Sequence, residues 1–414
     1  MSTVPATEYP KLRALDVRPH QQNGQSYFLL RDPLQLSENS LLIPQLWGVV
    51  LASMDGKTPV DKAVDEFRRR YGVPIDRDDV SELVNALDAS YLLENEHAHA
   101  AQQRILDAYR AEPFRRPLLA GSGYPESAKA LRDLLDSHLS ASAESSPRGD
   151  LVDAISAGRF GLLSPHIDYA RGAPIYAQLW QQAAEAVRAA DLVILVGTDH
   201  YGNDPFTLTR QHYATPYGTL PTNLDIVDDI AAAVGQDAAY AGELRHRGEH
   251  SLELVAVWLH HMRGGEPVEM VPMLVGSMYT YVMNGASPET DARTNAVLRA
   301  VRSASTGRRV AIIASGDLSH VGSAFGGAPL TGEMRRNVRA DDDDVIHQMQ
   351  RASASGFFES IRRVRDRNNV CGVAPIYLAL RLLNADRGEL HGYASCPADA
   401  TDSSAVTICG MVWH

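Results

Sequence analysis

The chain has 414 residues, enough for two or more domains at roughly 150 residues each. Its net charge of −12 argues against a nucleic-acid partner, because phosphate binding draws on clustered Lys and Arg. No stretch approaches the roughly 20 apolar residues of a membrane helix, the first 25 residues lack the apolar centre of a secretory signal, and three cysteines make no disulfide framework. The expectation is a cytoplasmic globular protein without a membrane partner.

Residues 1–24 are polar and irregular and read as a flexible arm. Tyr27-Phe28-Leu29-Leu30 predicts a short strand before the Asp32-Pro33 turn, and residues 41–54 predict a helix stopped by Asp55-Gly56. Val60, Ala63, Val64 and Phe67 recur at helical spacing, as do Val80, Leu83, Val84 and Leu87 in a third helix over 77–89. Tyr91-Leu92-Leu93 reads as a closing strand. Residues 25–96 are therefore expected to form a small, mainly helical, winged-helix-like domain. Its turn, helix, Tyr71-Gly72, helix, Leu92-Leu93-Glu94 rhythm resembles the peptide-binding domain of the pyrroloquinoline-quinone chaperone type. That resemblance implies a peptide or protein partner through residues 25–95. A helical connector, 97–113, follows.

Beyond a Ser-rich stretch at 137–146, apolar runs at 160–163, 192–196, 268–275 and 310–313 are spaced by helical segments such as 177–188 and 293–304. Buried apolar strands separated by helices imply an α/β domain with a central sheet flanked by helices. The run Asp341-Asp342-Asp343-Asp344 reads as a solvated helix start, with a hard-cation site as the sharper alternative.

The chemistry-bearing residues follow the strands. Pro165-His166, Gly197-Thr198-Asp199-His200 and Ser315-Gly316-Asp317-Leu318-Ser319-His320 each bring a histidine to a strand end, where ligands of open α/β sheets collect. Glu249-His250-Ser251 places a further histidine beside a carboxylate. Cys371-Gly372 puts a thiol at an apparent helix start, which favours the thiolate that binds metal. Taken singly, each histidine could be a hydrogen-bonded structural group, and Cys371 a small buried residue. Cys396 and Cys409 read as structural, and His246, His260 and His261 lack supporting context. Glu249 and Glu253 read equally as acceptors that orient ligands and as solvated helix carboxylates.

These motifs, in this order, resemble the Memo family, with Ala120-Gly121-Ser122-Gly123-Tyr124 similar to its opening AGSWY segment and Asp402-Ser403-Ser404 and His414 fitting near the end. The resemblance covers about residues 114–414. It implies a fold similar to class III extradiol dioxygenases, a metal held by His166, His200 and Cys371, and a cleft lined by Asp317, His250 and His320 as catalytic candidates. Asp317 is the substitute ligand if the thiol does not bind. The resemblance implies Fe(II) first, with Cu or Zn as alternatives; neutral imidazoles suit Fe, Cu and Zn, and one thiolate biases a site towards softer or redox-active metals. Three protein ligands leave positions for substrate or dioxygen. The expectation is a non-haem iron redox protein acting on a peptide or aromatic small molecule; the alternative is a peptide- or partner-binding scaffold with a non-catalytic cleft. The chain departs from the family pattern at Leu119 (often His), Gly123 (Trp), Tyr201 (a second His) and Asp168 (a small residue). Cys371 in place of the dioxygenase carboxylate ligand sets ring cleavage itself in doubt.

Overall fold

The structure is a computed structural model that describes residues 8–37, 39–142, 150–158 and 160–414. The chain divides into two compact units, Met1–Ala111 and Glu112–His414.

In the first unit β1 (Asp16–Gln22) and β2 (Gln25–Arg31) form an antiparallel hairpin, and β3 (Leu41–Pro44) adds to β2. The residues 16–22 expected in a flexible arm are thus strand. Asn23-Gly24 explains it: both residues take positive φ (51° and 75°), the geometry of a two-residue hairpin turn. The single helix expected over 41–54 is instead β3, a 3₁₀ turn and the short helix Gly48–Ser53. Pro44 accounts for the break, since a proline pushes its predecessor out of helical geometry. Helices Val60–Tyr71 and Arg77–Ala89 follow as expected, and helix Glu96–Ala111 comes after them. Tyr91-Leu92-Leu93 makes only an isolated bridge from Leu93 to Leu12 rather than a strand. Leu30, Val50, Val64, Phe67 and Leu87 centre this unit's own core.

The second unit is built on an eight-stranded sheet. Four parallel strands run in the order β4 (Gly161–Ser164), β10 (Val310–Ser315), β5 (Leu192–Thr198), β9 (Glu269–Val275). Antiparallel strands extend it: β13 (Ser404–Trp413), flanked by β11 (His320–Gly322) and β12 (Gly388–Pro397), on one side, and β6 (Thr207–Leu208) on the other. β7 (Tyr213–Thr215) and β8 (Gly218–Leu220) form a separate hairpin.

Alternate residues of the parallel strands enter different cores. Leu162, Val193, Leu195 and Ile313 pack with helices Tyr169–Ala189 and His250–Met262. Leu163, Ile194, Val196 and Ile312 pack with helices such as Leu224–Val234, Ala292–Ala304 and Val373–Leu382. Burial on both faces is why these strands read as continuous apolar runs.

The aspartate run lies in the middle of helix Gly332–Gln350, not at its start. Asp342 is buried and accepts from Ser319 Oγ (2.6 Å) and Tyr393 OH (2.8 Å), so it is a packing element of the sheet edge. Of the Ser-rich stretch, residues 143–149 lie outside the described ones. Among the described residues no helix is long and apolar enough to cross a membrane.

Candidate metal centre

The three histidine-bearing strand ends are neighbours because β10 lies between β4 and β5. Ser315 pairs with Ser164 on one side and Gly197 on the other, so the three chains leave the sheet level with one another. Helix Val373–Leu382 then brings Cys371 against them. The approach depends on Gly316 and Gly372: a Cβ on Gly316 would lie 2.6 Å from Gly372 Cα, and one on Gly372 2.7 Å from Asp317 O. Thr198 Oγ1 donates to Cys371 O (3.0 Å), tying the thiol's backbone to β5.

The structure brings His166, His200 and Cys371 together, with their ligand atoms all within 4.8 Å of one another. Cys371 Sγ lies 3.2 Å from His166 Nε2. His166 is buried, and its orientation is set behind the ring. Ser315 Oγ donates its one proton to Ser251 O (2.5 Å), so at 3.1 Å from His166 Nδ1 it can only accept. Nδ1 therefore carries the hydrogen and Nε2 presents a lone pair to the pocket. Burial, followed by the charges of His200 and His250, holds this imidazole well below its usual pKa, so it is neutral.

His200 is held differently. Glu249 accepts from both its backbone N–H (3.0 Å) and its Nδ1 (3.0 Å), which turns Nε2 toward Cys371. Burial opposes the charged ring, but the Glu249 charge and the bonds from Cys371 and Glu249 outweigh it and raise its pKa well above normal. Burial likewise raises Glu249, and the His200 charge with bonds from His200 and His250 overrides that, keeping the carboxyl ionised. The Cys371 thiol is pushed up by burial despite its bond to His200. Burial thus opposes the thiolate preference expected at a helix start.

Asp317, His250 and His320 surround the same pocket. His250 stacks on His200 at 4.7 Å between centroids and reaches Glu249 through Nδ1 (3.1 Å). Asp317 accepts from the backbone N–H of His166 (2.8 Å) and Ile167 (3.3 Å), and burial lifts its carboxyl to about 6. Asp317, His320 and Cys371 form a second donor group within 4.8 Å, and His200, Glu249 and His250 a third.

The donors fit a metal ion. Two ligands at about 2.0–2.3 Å from a tetrahedral ion sit roughly 3.5 Å apart, close to the Cys371–His166 separation. One imidazole lone pair is preset and the other ring is oriented by a carboxylate, the usual support behind a metal-bound histidine.

A family model described as Memo-like protein matches residues 115–412. The chain belongs to the Memo-like family. A MEMO1 family protein of Aquifex aeolicus is 24% identical over 409 residues, covering 98% of this chain and 100% of its own length. Relatives of the same description from Methanosarcina acetivorans (28% over 252 residues; 60% of this chain, 82% of theirs) and Thermus thermophilus (26% over 299 residues; 72% and 81%) are similar to it as well. Alignment with the Aquifex relative runs through nearly the whole chain, whereas the family model begins with the second unit.

Within this Memo-like domain the departures from the family pattern lie outside the donor set. Tyr201 is 40% exposed beside His200, and Asp168 caps helix Tyr169–Ala189 while pairing with Arg171 (2.6 Å). Several supporting groups escaped sequence reading. Arg115 is fully buried; it pairs with Glu253 and donates to His246 O and Glu249 O (both 2.9 Å). Glu253, read as either an orienting or a solvated carboxylate, is buried. It also accepts from Leu119 N (2.7 Å) and Tyr124 OH (2.6 Å), holding the AGSGY segment on helix His250–Met262. Arg245 clamps Asp199 (2.7 Å) and Asp204 (2.5 Å) behind His200. His246 is a structural group, bonded to Tyr213 OH (2.6 Å) and Thr207 O (2.9 Å).

Proposed function

We propose that this protein is a metal-dependent oxidoreductase whose ion, iron first and copper or zinc as alternatives, is held by His166, His200 and Cys371. The observation that carries the reading is the preset Nε2 lone pair of His166 lying 3.2 Å from the Cys371 thiol. A redox-active ion bound there supplies electron transfer and open positions for dioxygen or substrate. The chain's own residues do the rest. His320 gives its Nδ1–H to Leu318 O (3.1 Å), and burial lowers its pKa to about 4, so near neutrality it stands at the pocket as an uncharged imidazole. Asp317, at about 6, changes charge near neutrality and suits either direction of proton transfer. The substrate on this reading is an aromatic small molecule or a peptide segment.

The test is metal content of protein purified without added metal, repeated for His166→Ala, His200→Ala and Cys371→Ser. Each substitution should lower bound metal. If none lowers content or affinity, the reading is wrong.

A second reading concerns the first unit, where a groove of about 800 Å³ is lined by Val17, Phe28, Leu46, Val49 and Tyr71, with Arg70 beside them. Arg70 lies over the Tyr71 ring and has no carboxylate partner among the described residues. An apolar peptide bearing a carboxylate complements that lining. Titration of the full chain with peptides alternating Leu and Glu should show binding that Arg70→Glu abolishes. Binding that persists in all three ligand variants, in protein that takes up no metal, would favour a scaffold over an enzyme.

A further inference from the structure

Behind the metal centre, aromatic rings continue from the pocket toward the surface on the His250–Met262 side of the sheet. Tyr176 OH donates to Ile167 O (2.9 Å), one residue from His166. Its ring is stacked on Trp258 at 5.6 Å with an interplanar angle of 6°. Trp258 meets His261 edge-on at 5.8 Å, and His261 packs on Tyr217 at 5.8 Å. Tyr176 and Trp258 are fully buried, while Tyr217 is partly exposed on the turn joining β7 and β8. Aromatic clusters ordinarily need no more than packing to account for them. Three features here go beyond packing.

First, Tyr217 ends the series as a phenol with a built proton acceptor. His261 Nε2 lies 3.3 Å from Asp136 Oδ1, which places its hydrogen there and leaves Nδ1 to accept from Tyr217 OH at 3.0 Å. Second, Trp258 Nε1 is buried with no hydrogen-bond partner among the described residues. An oxidised indole there has no group to take its proton, so it remains a cation that readily draws an electron from a neighbour. Third, Arg132 lies over the Tyr217 ring at 5.1 Å. A guanidinium there disfavours a charged phenol radical and favours loss of the proton to His261.

We propose that Tyr176, Trp258 and Tyr217 form an electron relay between the metal pocket and the surface. Its physiological use rests on the redox reading of the pocket; the route itself does not. A one-electron outer-sphere oxidant at the pocket takes an electron through Tyr176 from Trp258. Trp258 is refilled from Tyr217, whose phenolic proton passes to His261 Nδ1. In sum, oxidant, Tyr217–OH and neutral His261 give reduced oxidant, a neutral Tyr217 oxygen radical and a protonated His261 whose charge faces Asp136.

The test needs no metal. Tyr201→Cys, in a Cys371→Ser background, is labelled at the pocket rim with a ruthenium polypyridyl photo-oxidant, and radicals are followed after flash-quench by transient absorption and electron paramagnetic resonance. A tyrosyl radical is expected, and Tyr217→Phe should abolish it and leave a tryptophanyl radical in its place. Trp258→Phe should also lose the tyrosyl signal, with thermal unfolding checking that the fold is kept. His261→Gln should retain the tryptophan radical and lose the tyrosyl one. An unchanged tyrosyl signal in Tyr217→Phe, or in folded Trp258→Phe, overturns the relay. Because the protein is metal-free, that outcome is distinct from failure of the metal reading, which the metal-content measurements decide.

Discussion

At the scale of single residues, the candidate metal pocket depends on groups set behind its donors. Ser315 has one proton and gives it to Ser251 O, which compels His166 to present Nε2 forward. Ser315→Ala removes that acceptor and frees the ring to choose its tautomer. Losses behind a ligand of this kind cost about 10–100-fold in metal affinity. Chelator competition should register a drop of that order for Ser315→Ala with little change in unfolding temperature. Protonation sets a second expectation. His166 is already neutral near pH 7, but His200 is held charged by Glu249, and the Cys371 thiol is raised by burial. A metal must therefore displace a proton from each, and its apparent affinity rises with pH and falls as the medium is acidified. Affinity measured across a pH series should approach a two-proton slope around neutrality, and Glu249→Gln should flatten it. A pH-independent affinity would contradict ligation by these two groups. That His166, His200 and Cys371 come together was legible in the sequence because they follow apolar strands or open a helix in the order of the family's motifs, although each taken singly could be structural. The roles of Ser315 and Arg115 were not legible, because a serine closing an apolar strand and an arginine between Phe114 and Arg116 carry no local signal of what they bond to across the fold.

Secondary-structure elements meet here at unusually small separations, and the glycines show where. Helix Val373–Leu382 reaches β10 only because Gly316 and Gly372 lack side chains. Gly372→Ala forces a methyl to within 2.7 Å of Asp317 O and 2.9 Å of Ile376 Cδ1, so the helix start must retreat and carry Cys371 with it. Overpacking of this kind costs about 1–3 kcal/mol. The expected result is a lower denaturation midpoint together with weakened metal binding, and full retention of both would show that the approach is not needed. The Arg115–Glu253 pair links a different set of elements, fastening the segment before Tyr124 to helix His250–Met262. With both side chains buried, Arg115→Ala leaves the Glu253 carboxylate without its counter-charge, and breaking such a pair costs about 3–5 kcal/mol. Denaturant titration should show a loss of that size, whereas Arg115→Ala combined with Glu253→Leu should recover part of it. Elements were readable where one pattern dominated: continuous apolar runs in the parallel strands, helical spacing in the helices at 60–71 and 77–89. They were misread where a single residue overrode the pattern: Asn23-Gly24 made strand of a polar arm, and Pro44 divided an apolar run into strand and helix. The aspartate run failed for a third reason. The hydrogen bonds that match its burial come from Ser319, in the loop before β11, and from Tyr393 of β12, both distant in sequence.

For the whole molecule, the cores divide as the sequence does. The core of the first unit draws on Leu30 through Leu93, and the two cores of the second on residues from Tyr124 onward. All six pocket residues, and the Glu249, Arg115 and Ser315 side chains that orient them, belong to Glu112–His414. The matched Memo-like segment, 115–412, falls inside the same unit. A domain of that size with its own two-sided core is large enough to fold alone. Residues 112–414 expressed by themselves are therefore expected to unfold cooperatively and to bind metal with the stoichiometry and affinity of the full chain. Peptide binding through the Arg70 groove should disappear with the removed residues. Calorimetry and metal titration of the two proteins side by side decide the point. A fragment that folds yet no longer binds metal would contradict the assignment of the pocket to residues 112–414.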